Sequence, residues 1–177
     1  LKRRTRAEPP APLEAIPLTS YPGSESQPSF SPDGNQVAFA WNASSEDNWD
    51  IYIKVVDAGT PLRLTSNPAT DYSPAWSPDG RHIAFLRQSE ENSGFYLIPA
   101  LGGLERRLGP ASPERVGVDS PYVAWSPDGK TLALADRESP GQPMAIFLLE
   151  LDSGQRRRIT SPPPKTYGDS APAFSSD

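Results

Sequence analysis

Glu25, Asp71, Asp119 and Asp169 each stand five or six residues ahead of an aromatic that is followed by serine: Phe30, Trp76, Trp125 and Phe174. Carboxylates that recur at one repeat position have two chemistries open to them. Gathered around one opening, they focus a negative potential that binds a cation, an amine or a basic peptide. Kept apart, each accepts hydrogen bonds from the amides of its own turn. Tyr72 and Tyr122 lie beside the same segments, where they either add aromatic contacts to a ligand or pack inward. A second acidic set, Glu46, Asp47, Asp50, Glu90, Glu91 and Glu138, strengthens the first if its loops emerge on the same side.

Catalytic chemistry finds no comparable grouping. The one histidine, His82, falls in an apolar strand pattern away from any nucleophile, and no Gly-x-Ser-x-Gly is present. With no cysteine there is neither a disulfide nor a thiolate metal site, and the redox compartment stays unread. Calcium-loop, phosphate-loop and dinucleotide glycine patterns are missing too. The expectation is therefore no catalytic residue, no metal and no cofactor. A formal net charge of -5 argues against nucleic acid as a partner. No stretch approaches the roughly 20 apolar residues of a spanning helix, so no direct membrane span is expected.

The elements that must position these residues follow from a repeat. Ser-Pro-Asp-Gly occupies 31–34, 77–80 and 126–129, and Ser-Ser-Asp closes the chain at 175–177. From Pro32 to Pro78, Pro127 and Ser176 the steps are 46, 49 and 49 residues, a spacing that fits propeller blades. Proline presets the turn, aspartate bonds its backbone and glycine supplies the positive φ of a bulged hairpin, so Asp33, Asp79 and Asp128 read as structural. After each turn, Val37/Phe39, Ile83/Phe85 and Leu132/Leu134 alternate with Ala38, Ala84 and Ala133. Large residues on one face and alanine on the other suit a sheet covered on both sides. Third strands are expected at 51–56, 95–100 and 146–151, ended by Gly59, Gly103 and Gly154, with arginine-bearing fourth strands beyond them.

The predicted fold is all-β, a partial propeller of three four-stranded antiparallel blades at about 22–65, 71–109 and 119–160. One extra strand is expected at each end, around Ile16-Pro-Leu-Thr-Ser and at 171–177. Residues 1–12 read as a basic, proline-rich linker and 13–177 as the propeller. Such a stack should leave apolar blade faces exposed, so self-association or further blades are expected to complete the ring.

The aromatic-Ser-Pro-Asp-Gly signature with its apolar-Ala-apolar strand resembles the WD40-like repeats of TolB-like β-propellers over 13–177. The basic start and proline-rich lead are similar to propellers of bacterial membrane-anchored kinases or winged-helix regulators. The resemblance implies a non-catalytic protein- or peptide-binding, sensory module of a larger bacterial protein. Its alternative implication is a propeller that gates a prolyl-oligopeptidase-type serine hydrolase encoded elsewhere. It favours an extracytoplasmic location, with a cytoplasmic one still open. The chain starts at Leu1 and its only methionine is Met144, as in a processed product or an excised piece.

Overall fold

The computed structural model describes residues 15–43, 48–114, 117 and 120–175. The linker expected at 1–12 lies outside them. Among the described residues, twelve strands form three antiparallel sheets, each a meander with sequential neighbours. Blade 1 is β1 (Glu25–Phe30), β2 (Gln36–Trp41), β3 (Asp50–Val55) and β4 (Ala58–Arg63). Blade 2 is β5 (Thr70–Trp76), β6 (His82–Gln88), β7 (Gly94–Pro99) and β8 (Arg106–Pro110). Blade 3 is β9 (Val123–Trp125), β10 (Thr131–Asp136), β11 (Ala145–Glu150) and β12 (Arg156–Arg158).

The Ser-Pro-Asp-Gly turn is built identically three times. The Ser31, Ser77 and Ser126 hydroxyls each donate to the turn aspartate at 2.6 Å. The same aspartate oxygen accepts the amides of Asn35, Arg81 and Lys130. These bonds, the serine's first, hold all three aspartates below the ordinary carboxylate range. Gly34, Gly80 and Gly129 have φ of 73°, 71° and 69°, the left-handed conformation that the motif requires.

Alternation then assembles the blades. Ala38, Ala40, Ile51 and Ile53 of blade 1 pack against Trp76, Ile83, Phe85, Tyr96 and Ile98 of blade 2. Ala84, Leu86, Phe95 and Leu97 on the other face of blade 2 meet Leu132, Leu134, Phe147 and Leu149 of blade 3. Alanine on one sheet makes room for a ring or branched chain on the next, which gives crystal-like density without voids.

Three expectations need correction. Gly103 and Gly154 do lie between third and fourth strands, but Gly59 sits inside β4 at φ 75°, beside a bulge between Ile53 and Val55, because this hairpin turns tightly at Val56 and Asp57. The flanking segments make no assigned strand among the described residues, since a fourth strand needs the third strand of its own blade as ladder partner. Leu18 of the first segment packs on Val37 and Phe39, and the Ala171 amide of the second donates to the Pro121 carbonyl. The outward faces are therefore covered in part: Val37, Phe39, Ala133 and Ala135 are buried, while Phe30, the ladder partner of Val37, is 56% exposed.

The aromatic before each turn shows what inter-blade packing contributes. Trp76 is 7% exposed against blade 1, whereas Phe30 at the same repeat position is 56% exposed. Phe85→Ala should therefore lower unfolding free energy by about 3–5 kcal/mol. Phe30→Ala should change it by under about 0.5 kcal/mol. Urea denaturation of both variants checks the pair, and equal losses would contradict this packing scheme.

Candidate functional site

In each meander the β1–β2 type of turn lies at one end of the blade, and the links from one blade to the next lie at the other. The inner strands β1, β5 and β9 begin at the link end. Gln27, Ser73 and Ala171 precede Pro28, Pro74 and Pro172 there, with φ of 53°, 54° and 54°. Left-handed backbone at non-glycine residues costs energy and persists only where its surroundings hold it. In β1 and β5 it coincides with ladder bulges, between Ser26 and Ser29 and between Tyr72 and Ala75.

These bulges turn side chains sideways into the neighbouring blade. The Gln27 side-chain carbonyl accepts the Ser73 amide at 2.8 Å, and its NH2 donates to the Ser120 carbonyl at 2.5 Å. Ser73 Oγ accepts the amides of Tyr122 and Val123 at 2.6 and 3.2 Å. The Ala171 amide donates to the Pro121 carbonyl at 3.1 Å. A girdle of hydrogen bonds thus joins successive inner strands.

Below the girdle, the inner strands wall a concave groove of about 730 Å³. Pro28, Pro74, Pro121, Pro172, Trp76 and Trp125 line it, with serine, alanine, valine and Gln27 between them, and no lining residue is charged. Trp125 donates its indole N–H to the Ala75 carbonyl at 2.9 Å, while the buried Trp76 indole N–H has no partner among the described residues.

The recurring carboxylates occupy different environments. Asp71 is 0% exposed, and Arg87 grips it with Nε at 2.7 Å and Nη2 at 2.8 Å. The same guanidinium donates to Glu105 at 2.5 and 2.9 Å and lies 4.7 Å from the centre of the Tyr96 ring. Burial pushes the Asp71 carboxyl up to about 6 although Arg87 and Thr65 oppose the shift. Asp50, also buried, is raised by the same cause and is paired with Arg63 at 2.5 Å. Glu25 is half-buried and accepts the Thr19 hydroxyl. Asp169 is half-buried, and its amide donates to the Met144 carbonyl at 2.8 Å. Asp119, Glu46 and Asp47 lie outside the described residues. Tyr72 lies beside Trp49 with ring centres 6.0 Å apart, and Tyr122 is buried with its hydroxyl 3.2 Å from that of Tyr167. Among the described residues no hydrogen bond or ion pair joins Glu25, Asp71 and Asp169 to one another.

Sequence reasoning missed Arg87, Gln27 and Ser73. A signal for the first was present in the repeat alignment. Arg87 stands next to last in β6 and pairs with Glu105 ahead of β8, whereas Asp136 ends β10 and pairs with Arg156 at 2.7 Å at the start of β12. The ion pair is kept and its signs are exchanged. Arg156 also covers an aromatic, Phe147 at 4.0 Å, as Arg87 covers Tyr96.

Removing Arg87 strands Asp71 as a buried charge, so Arg87→Met should cost about 3–5 kcal/mol near neutral pH. In the folded protein burial holds the Asp71 carboxyl at about 6, above the ordinary 3.8. Its contribution to stability is therefore fully present below 3.8 and lost as pH rises through 6. The penalty of Arg87→Met should accordingly shrink in denaturant titrations on going from about pH 8 to about pH 5. A penalty that grows on acidification would contradict this assignment.

A family model described as TolB beta propeller domain matches residues 14–175. No curated protein sequence matches the chain significantly. Among solved structures, TolB from Acinetobacter baumannii is 26% identical with a TM-score of 0.65, over 81% of this chain and 34% of that one. A putative TolB from Agrobacterium tumefaciens is 21% identical with a TM-score of 0.62, over 80% of this chain and 50% of that one. A puromycin-hydrolyzing peptidase from Mycobacterium tuberculosis is 14% identical with a TM-score of 0.61, over 78% of this chain and 22% of that one. The latter two likenesses show the fold alone, and this chain spans only a third to a half of the two TolB chains. With three meander blades, three identical Ser-Pro-Asp-Gly turns and a family match from 14 to 175, the chain belongs to the TolB beta-propeller family.

Proposed function

We propose that this chain is a non-catalytic module that binds a protein or peptide, serving as the sensory propeller of a larger bacterial protein. The observation that carries this reading is the uncharged groove of about 730 Å³ shared by the inner strands of all three blades. Its prolines offer no N–H, so the groove edge is poorly suited to adding a partner strand. Recognition would instead come from aromatic and proline surfaces. The groove is too neutral to hold a highly charged partner by ion pairing. Half-buried Glu25 and Asp169, at the link end, supply the acidic element and favour an extended peptide with an apolar body and isolated basic residues. Likeness to TolB supports an extracytoplasmic location. Completion of the ring by a second copy or by further blades belongs to the same proposal.

A second reading, a propeller that gates a serine hydrolase, draws on fold likeness to the puromycin-hydrolyzing peptidase. The coding sequence on either side separates the two, since an adjoining hydrolase domain favours the gate. The binding reading has its own test, because Trp76 and Trp125 both line the groove. Titration with proline-containing peptides of positive, zero and negative charge should change tryptophan fluorescence saturably for the first two classes. Ala124→Arg, which places a bulky cation on the groove wall, should abolish the change while the far-ultraviolet spectrum and melting temperature hold. Binding that is indifferent to Ala124→Arg, or no binding by any class, would overturn the proposal.

A further inference from the structure

Blades 1 and 2 carry the same carboxylate site with different occupants. In blade 2, Asp71 stands opposite Arg87 in the β5–β6 ladder, and the guanidinium lies over Phe85 and Tyr96 at 5.3 and 4.7 Å. Thr65, from the end of the preceding blade, lies beside the carboxylate and favours its charged form, with its hydroxyl 3.4 Å from Asp50. In blade 1 the corresponding residues are Glu25, Phe39, Tyr52 and Thr19, and the Thr19 hydroxyl bonds the carboxylate. The residue opposite Glu25 is Trp41. Its ring meets Tyr52 edge-on with centres 4.7 Å apart, the place that Arg87 takes over Tyr96. Its indole N–H is turned to the Pro22 carbonyl at 2.9 Å, away from Glu25.

Among the described residues, Glu25 is thus left without the cation that its counterpart has. Its Oε1 is shielded from water and has no partner among the described residues. An unpaired buried carboxylate oxygen is costly, and a charged donor is the group that offsets it best. Beside it lies a cavity of about 210 Å³, with Thr19 and Glu25 at its polar part and Leu18, Pro28, Val37 and Phe39 along its apolar walls. A flat guanidinium has lost its stacking position to Trp41. An apolar-walled cavity with a carboxylate and a hydroxyl at its polar part suits methylenes that carry a compact ammonium, which the carboxylate meets by turning into the cavity.

We propose that the Glu25 cavity of blade 1 is a receptor for a primary ammonium on an aliphatic stem, the side chain of a lysine in a bound peptide. The source of that lysine rests on the peptide-binding reading above; the cavity and its unpaired oxygen do not. It supplies in trans the cation that blade 2 holds in cis.

The test uses the whole chain and four small probes followed by nuclear magnetic resonance: n-butylammonium and the N-acetyl methylamides of lysine, arginine and norleucine. Resonances of Val37 and Phe39 should shift saturably with butylammonium and the lysine derivative, more weakly with arginine, and not with norleucine. Glu25→Gln should weaken lysine binding at least about tenfold. Leu18→Trp, which fills the cavity and leaves the carboxylate in place, should weaken it as well, so the conclusion does not hang on one variant. Equal binding of norleucine, or undiminished binding in both variants, would overturn the proposal. Alkylammonium binding in a protein that takes no peptide would sink the peptide-binding reading and leave this site standing. Peptide binding insensitive to both variants would do the reverse.

Discussion

A sheet with large apolar side chains on one face and alanine on the other has no stable existence alone, because both faces must be covered. Everything else in this chain depends on that constraint. Ala38 and Ala40 let Phe85 and Ile83 approach, and Ala84 does the same for Leu132 and Leu134. Stacking at this closeness brings the inner strands near enough for Gln27 to reach Ser73 and for Ser73 to reach Tyr122. It also strips water from Asp71, and that desolvation is why its carboxyl needs Arg87. Packing comes first, and the polar network is what packing makes necessary.

The polar network is nonetheless specific to each blade. At the end of the second strand stand Trp41, Arg87 and Asp136, all serving one local requirement with different chemistry. An aromatic covers Tyr52 in blade 1, a guanidinium covers Tyr96 in blade 2, and in blade 3 the guanidinium over Phe147 comes from Arg156 on the outermost strand. Repeats that share a backbone but differ here acquire different electrostatics at the link end. That is how a regular scaffold can hold one closed carboxylate, Asp71, and one with an unpaired oxygen, Glu25.

The fold was largely legible because its signals are local. Ser31, Asp33 and Gly34 specify their turn within four residues, and alternation with alanine marks Gln36–Trp41 and its counterparts. The site was legible only in part. Recurrence picked out Glu25, Asp71 and Asp169 as a set, but their partners lie across ladders or in other blades and vary from repeat to repeat. Asp71 read either as a ligand for a basic peptide or as the cap of its own turn; it is fully buried and paired with Arg87, whose role shows only when its sign is compared with that of Asp136. Tyr122 gave no signal of its depth, because the inner-strand pattern does not say which aromatics the next segment will cover. The partial cover of the outer face of blade 1 was missed for a related reason: Leu18 packs on it without forming a strand, so no period marks it.

The central claim is that the three blades form one body, joined by close stacking and by the inner-strand girdle. Native-state hydrogen exchange on the amides of Ser73, Tyr122 and Val123 tests it most directly, because their acceptor atoms belong to the neighbouring blade. These amides should exchange as slowly as mid-strand Phe85 and Leu134 and through the same global opening. Exchange at loop-like rates, with each blade opening separately, would contradict it.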